Sequence, residues 1–269
     1  MSTPPPSPLS PTPELLRSLV GVLDLTTLEA TDTEERVREL CAKGKDPLGD
    51  GSVAVGAICV YPTMVPAAAE ALAGSFIKLA SVAGAFPSGM SPLQLRVAEA
   101  AWCVEHGADE VDMVISRGEF LAGRRDLVVQ EVREIRAAIG NASLKVILET
   151  GELKTEDNIR AASELIVPLL RDGDFIKTST GKTQPAATLE ATAIMLSVLA
   201  QAWQRGGPKV GLKPAGGVRT AEDALAYWSQ AHTIMAGNAQ WQQPDPRYFR
   251  IGASSLLGSL VDALRQGPR

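Results

Sequence analysis

Two lysines set opposite the aliphatic residues of strand-like runs are where this sequence invites chemistry. In DFIKTST (174–180), Lys177 lies opposite Ile176 and Thr178; in KVGLKP (209–214), Lys213 lies opposite Val210 and Leu212, because side chains alternate across a strand. EVDMVIS (110–116) sets Asp112 opposite Val111, Met113 and Ile115, and LKVILET (144–150) sets Lys145 and Glu149 opposite Val146 and Leu148. If the aliphatic faces pack under helices, all five charges point inward, where an ion is costly unless paired or solvated. Ammonium groups on adjacent strands about 4.8 Å apart can approach within roughly 6 Å. At an effective dielectric of about 20 they repel by on the order of 2–3 kcal/mol, or about two pKa units. One amine can then be neutral near pH 7 and attack a carbonyl, forming an iminium ion that lets an adjacent C–C bond break or form. Asp112, on the same interior, could move protons or hold a lysine charged. The alternative is a purely structural network of lysine and carboxylate inside the core.

Glycine-rich loops follow the same runs. Thr180-Gly181-Lys182 follows the first lysine, Ala215-Gly216-Gly217-Val218-Arg219 the second, and Gly252-Ala253-Ser254-Ser255 leads into the final helical stretch. Glycine lets backbone amides approach an anion, and a helix N-terminus adds partial positive charge. Phosphate binding is the functional reading, and ordinary turn chemistry the plain one. TGKT at 180–183 is no P-loop, because that motif needs glycine where Ile176 stands.

Composition narrows the chemistry further. The chain has 26 basic and 31 acidic side chains, two histidines and three cysteines in 269 residues, with a net charge of −5. That balance argues against a nucleic-acid binder, and no uncharged apolar run reaches the eighteen or so residues of a membrane span. Cys41, Cys59 and Cys103 are scattered, and His106 and His232 are far apart, which disfavours a disulfide framework, a zinc ribbon or a histidine triad. Lysine, carboxylate and backbone are what remain. Lys78 reads as a rim lysine, Cys59 as a buried packing residue, and the four tryptophans as packing or interface residues.

Eight strand-like runs carry these residues: 22–27, 52–61, 76–82, 110–116, 144–150, 174–180, 209–214 and 250–254. Helical stretches lie between them. Thr31 with Glu34 is a candidate capping box, and Ser91-Pro92 a candidate N-cap followed by proline at the first helical position. The alternation predicts an α/β fold, a single (β/α)8 TIM barrel over 14–269, with an open doubly wound sheet as the alternative. Residues 1–13 hold six of the 18 prolines and no charged side chain, which predicts a disordered tail without the features of a targeting signal.

Taken together, LDLTTL (23–28), AICVYP (57–62), GADEVDMVI (107–115), LKVILETGEL (144–153), DFIKTSTGK (174–182), VGLKPAGGVRTAEDA (210–224) and RIGASSLL (250–257) closely resemble the deoxyribose-phosphate aldolase family. The resemblance runs in family order across nearly all of 14–269. It implies Lys177 as the Schiff-base lysine, Lys213 as the neighbour that depresses its pKa, and Asp112 in the proton relay. It implies Lys145 in the same polar network, and Asp24 and Thr26 near the substrate hydroxyls. Gly181, Lys182, Gly216, Gly217, Ser254 and Ser255 correspond to the phosphate cradle, and Thr180, Val218 and Gly252 are further substrate-binding candidates. The implied reaction is reversible cleavage of 2-deoxy-D-ribose 5-phosphate into glyceraldehyde 3-phosphate and acetaldehyde through a lysine Schiff base, with no metal and no organic cofactor. A cytoplasmic enzyme, possible as a homodimer, is the implied setting. Some members end in a tail tyrosine that assists proton transfer; the last tyrosine here is Tyr248, which implies either slower proton exchange or reliance on Asp112 and water alone. The FIKLASVAGAFPSG region (76–89) matches the family only at its FPSG end.

Overall fold

Eight short parallel strands close on themselves in a computed structural model that describes residues 9–267. They are β1 (Leu23–Thr26), β2 (Ala57–Val60), β3 (Lys78–Ala83), β4 (Glu110–Val114), β5 (Ser143–Ile147), β6 (Phe175–Lys177), β7 (Gly211–Lys213) and β8 (Ile251–Ala253). Neighbours in sequence pair in parallel from β1 to β7, and β8 pairs with β1. Bridges Leu212–Phe249 and Ala215–Gly252 join β7 to β8. Each strand is followed by a helix, so the fold is the (β/α)8 barrel and not the open sheet.

The two faces of the strands do different work. Val111, Met113, Val146, Ile176 and Leu212 lie in the main apolar core between sheet and helices. Fully burying such a side chain is worth ~1.5–3 kcal/mol, and this shell offsets the cost of placing ions on the opposite face. Inside the barrel the apolar material is sparse: Leu28, Cys59, Ala80 and Val82 form a small cluster beside Tyr61 and Phe86. Register then aligns the charges, setting Asp112 beside Lys145 and Lys177 beside Lys213.

Several boundaries differ from the sequence expectation. Thr33, not Thr31, caps the helix Glu34–Lys45, accepting from Arg36 N. The residue between them, Asp32, is held in the preceding turn by the Thr27 hydroxyl and Glu29 N. Pro92 itself occupies the cap position of the helix Leu93–Glu105, with no side-chain cap from Ser91. The helix Ala221–Ile234 has a full capping box between Thr220 and Asp223.

Residues 1–8 of the expected tail lie outside the described residues, as do 268 and 269. Leu9 N donates to Ser229 Oγ at 2.9 Å, and Pro13 opens a helix over Pro13–Gly21 capped by Thr12. The packed part therefore extends at least to Leu9 rather than starting at Glu14. Lys78 is half exposed at the N-terminal end of β3 and pairs with Asp109, as a rim lysine should. Trp203, Trp228 and Trp241 pack with Tyr248 and Phe249 in one aromatic cluster.

Candidate active site

The barrel interior holds one continuous ionic cluster. Lys177 Nζ donates to Asp112 Oδ2 at 2.7 Å, and Lys213 Nζ donates to the same oxygen at 2.7 Å. Lys213 also donates to Asp24 Oδ2 at 2.5 Å. Lys145 contacts Asp112 Oδ1 at 3.2 Å, Glu110 Oε2 at 2.5 Å and Asp24 Oδ2 at 3.1 Å. Arg250 closes the base, reaching Asp24 Oδ1 at 2.6 Å and Glu110 Oε1 at 2.8 Å. All these groups are buried, so each interaction acts in a medium of low dielectric.

The three lysines do not behave alike. Burial pushes Lys177 below the usual lysine value and the Lys213 cation adds to this, while Asp112 opposes it. Burial would lower Lys213 as well, but Asp112 and Asp24 together carry it up. Lys145 is also raised, because Asp112, Asp24 and Glu110 outweigh its desolvation. Burial would raise Asp112, yet Lys145, Lys177 and Lys213 hold it well below the usual carboxylate range. Of the three lysines, Lys177 is the one whose proton the surroundings hold least.

Lys177 is also the accessible lysine. A cavity of about 470 Å³ opens above the cluster, and of the three lysines only Lys177 lies on its wall. The wall further includes Thr26, Thr27, Gly181, Lys182, Gly216, Gly217, Val218, Gly252, Ser254 and Ser255. It occupies the C-terminal face of the barrel, where the loops after β6, β7 and β8 converge, the usual place for a barrel active site.

Local structure explains why those loops are open to an anion. Gly216 has φ +82°, and a Cβ there would lie 2.7 Å from Ala186 Cβ and 3.0 Å from Gly181 Cα, so two glycines let the loops meet. A Cβ on Gly252 would lie 3.0 Å from Lys213 Cε. Ser254 and Ser255 are exposed at the start of the helix Leu256–Gln266, and Ser255 makes no side-chain cap bond. Both serines line the cavity where that helix begins, and a helix N-terminus suits an anion. Lys182 Nζ donates to Leu28 O at 2.5 Å, fastening the loop after β6 to that after β1.

Several expected site residues sit elsewhere than direct substrate contact would require. Asp24 and Lys145 are fully buried beneath the cavity and contact other charges. Thr26 lines the cavity and donates to Asp24 O at 2.8 Å. Thr180 lines it too, but donates its hydroxyl to Glu149 Oε2 at 2.5 Å. Glu149 does not join the ionic cluster. β5 ends at Ile147, and Glu149 turns left-handed at φ +55° to accept from Thr180 N as well. It therefore shapes the loop after β6.

Sequence reasoning missed Glu110 and Arg250 in the cluster, and Arg36 and Arg219 on the cavity wall. Glu110 shares the face of Asp112 two residues on, a signal available in EVDMVIS. Arg250 opens the run 250–254 opposite the core residue Ile251, but with only Gly252 and Ser254 beyond it on that face the alternation is too short to mark it. Cys59 packs with small apolar side chains, and burial raises its thiol pKa. Among the described residues, no three His, Cys, Asp or Glu side chains are grouped to hold a metal ion.

Known proteins share both the fold and the sequence. Residues 19–260 match the family described as DeoC/LacD family aldolase. The deoxyribose-phosphate aldolase of Homo sapiens is 40% identical over 257 residues, covering 91% of this chain and 79% of that protein. The Mus musculus deoxyribose-phosphate aldolase is 42% identical over the same shares. The deoxyribose phosphate aldolase of Aeropyrum pernix, whose structure is a tetramer, superposes with a TM-score of 0.72 at 26% identity, covering 93% of this chain and 92% of that one. The family match over most of the chain and the identity to these relatives show that the chain belongs to the DeoC/LacD aldolase family.

Proposed function

We propose that this aldolase cleaves 2-deoxy-D-ribose 5-phosphate reversibly into D-glyceraldehyde 3-phosphate and acetaldehyde, as a class I enzyme working through a Schiff base on Lys177. The observation that carries the reading is the position of Lys177. It is the one lysine of three on the cavity wall, bound to the carboxylate that also holds the Lys213 cation. An aldehyde at the cavity floor and a phosphate at the glycine-lined mouth fit the two ends of an open-chain sugar phosphate.

The neutral Lys177 amine adds to the aldehyde carbon, and loss of water leaves an iminium ion. Removal of the proton from the sugar's 3-hydroxyl lets the C2–C3 bond break, its electron pair moving into the iminium to form an enamine. Glyceraldehyde 3-phosphate departs. Protonation of the enamine carbon regenerates an iminium, and water releases acetaldehyde and restores the amine. Asp112 is hydrogen-bonded to both Lys177 and Lys213, which supports its role in passing protons to and from the reacting nitrogen and its water. Gly181, Lys182, Gly216, Gly217, Ser254 and Ser255 would hold the phosphate through backbone amides, hydroxyls and one ammonium.

Every group in this account belongs to a single chain, so the reaction as written needs no second subunit. Among the described residues no helix is long and apolar enough to cross a membrane. The three buried, unpaired cysteines support the cytoplasm as the proposed setting. Incubating the purified protein with 2-deoxyribose 5-phosphate tests the reading: acetaldehyde and glyceraldehyde 3-phosphate should appear in equal amounts. In the synthetic direction acetaldehyde should serve as donor and dihydroxyacetone should not. Activity only with dihydroxyacetone-type donors would contradict the substrate assignment.

A further inference from the structure

Charge counting inside the barrel singles out a residue beneath the cavity. If all groups of the cluster were ionised, Lys145, Lys177, Lys213 and Arg250 would face the carboxylates Asp24, Glu110 and Asp112, one cation in excess. A buried cluster with one uncompensated charge relieves it most readily by releasing a proton. Arg250 cannot release one. Its guanidinium is buried, bonded to Asp24, Glu110 and Pro246 O, and lies over the Phe175 ring. Lys145 contacts three carboxylates and Lys213 two, whereas Lys177 contacts Asp112 alone. Lys177 is thus the lysine least held in its charged form.

We propose that Arg250 is a positioning residue for the aldol reaction: clamped between Asp24 and Glu110, it serves as the third fixed cation of the interior and so leaves Lys177 as the free amine. The inference rests on Lys177 being the nucleophile. The titratable and charged groups of the interior around Lys177 are accounted for strand by strand. They are Asp24 on β1, the Cys59 thiol on β2, Glu110 and Asp112 on β4, Lys145 on β5, Lys213 on β7 and Arg250 before β8; β3 contributes the apolar Ala80 and Val82. Arg250 touches neither Lys177 nor the cavity wall and acts through Asp24 and Lys213. It therefore sets the charge state of the site from below, outside the reach of substrate.

The acid limb of kcat/KM reports the ionisation of the free enzyme, so the pH profile reads this role directly. Arg250→Gln removes a cation, favours the ammonium form of Lys177 and should move the acid limb up by about one pH unit. Glu110→Gln removes an anion and should move the limb down by a similar amount. In the double variant the two changes cancel, and the limb should return close to its wild-type position. Arg250→Lys, which keeps the charge, should leave the limb in place even if the rate falls. Should Arg250→Gln fail to fold, Glu110→Gln must still move the limb down while Arg250→Lys leaves it in place.

Limbs that stay fixed while rates fall, or that move the same way in both single variants, would overturn the proposal and leave Arg250 a packing residue. Borohydride trapping with acetaldehyde, mapped in the same proteins, separates the two levels of the argument. Label on Lys177 with an unmoved limb defeats only the role of Arg250. Absence of label on Lys177 in the wild-type enzyme defeats the nucleophile assignment and the proposal with it.

Discussion

Lys177 and Lys213 donate to one and the same oxygen, Asp112 Oδ2, each at 2.7 Å. Their nitrogens can therefore be no farther apart than those two bonds laid end to end. The proximity argued from neighbouring strands is realised, with a carboxylate between the two nitrogens. Repulsion is only part of why Lys177 is the amine. Burial has the larger influence, Lys213 adds to it, and Asp112 works against both. Lys213 keeps its proton because Asp24 supplies it with a second carboxylate.

Replacing Lys213 by leucine removes the nearest cation and leaves Asp24 and Asp112 each short of a donor. We expect kcat/KM at pH 7 to fall at least about a hundredfold, because Lys177 then keeps its proton and proton transfer loses a partner. Part of the rate should return as pH rises. A full rate at pH 7, with the fold verified by circular dichroism, would refute the electrostatic account.

Gly216→Ala tests the phosphate end. The added Cβ would press on Ala186 and on the Gly181 backbone at a residue with φ +82°. Losing one charge-assisted hydrogen bond should raise KM for deoxyribose 5-phosphate by about tenfold or more. Kinetics with unphosphorylated deoxyribose should change little. Equal effects on both substrates would place the phosphate elsewhere.

Lys177→Met should yield an inactive but more stable protein at pH 7. Burial lowers the folded-state pKa of Lys177, so between that value and the ordinary lysine value the unfolded chain binds more protons, and stability rises with pH. Below that window the group carries its full penalty. Methionine removes the penalty and leaves three cations facing three carboxylates. Each kcal/mol recovered appears as about 2–4 °C in Tm, and the gap from wild type should narrow as pH approaches 10.5, the ordinary lysine value. A lower Tm in the variant at neutral pH would show that Lys177 contributes to stability as an ion.

The interior of β4 to β7 was legible because period-two alternation states which residues share a face, and Asp112, Lys145, Lys177 and Lys213 all obey it. Glu149 broke the rule because the strand stops two residues earlier and the chain turns left-handed. Arg250 was not legible: its partners Asp24 and Glu110 lie 226 and 140 residues away, brought together only when β8 closes against β1. The cap at Thr33 rather than Thr31 was decided by Asp32, whose carboxylate closes the turn before the helix. Local pattern encodes faces and turns; it does not encode what closure places beneath a site.

Reductive trapping is the most direct measurement of the central claim. Acetaldehyde with sodium borohydride should inactivate the protein and leave a single ethyl group, located by peptide mass mapping, on Lys177. Modification at Lys213 or Lys145 in its place, or an unmodified and fully active protein, would contradict the assignment of Lys177 as the Schiff-base lysine.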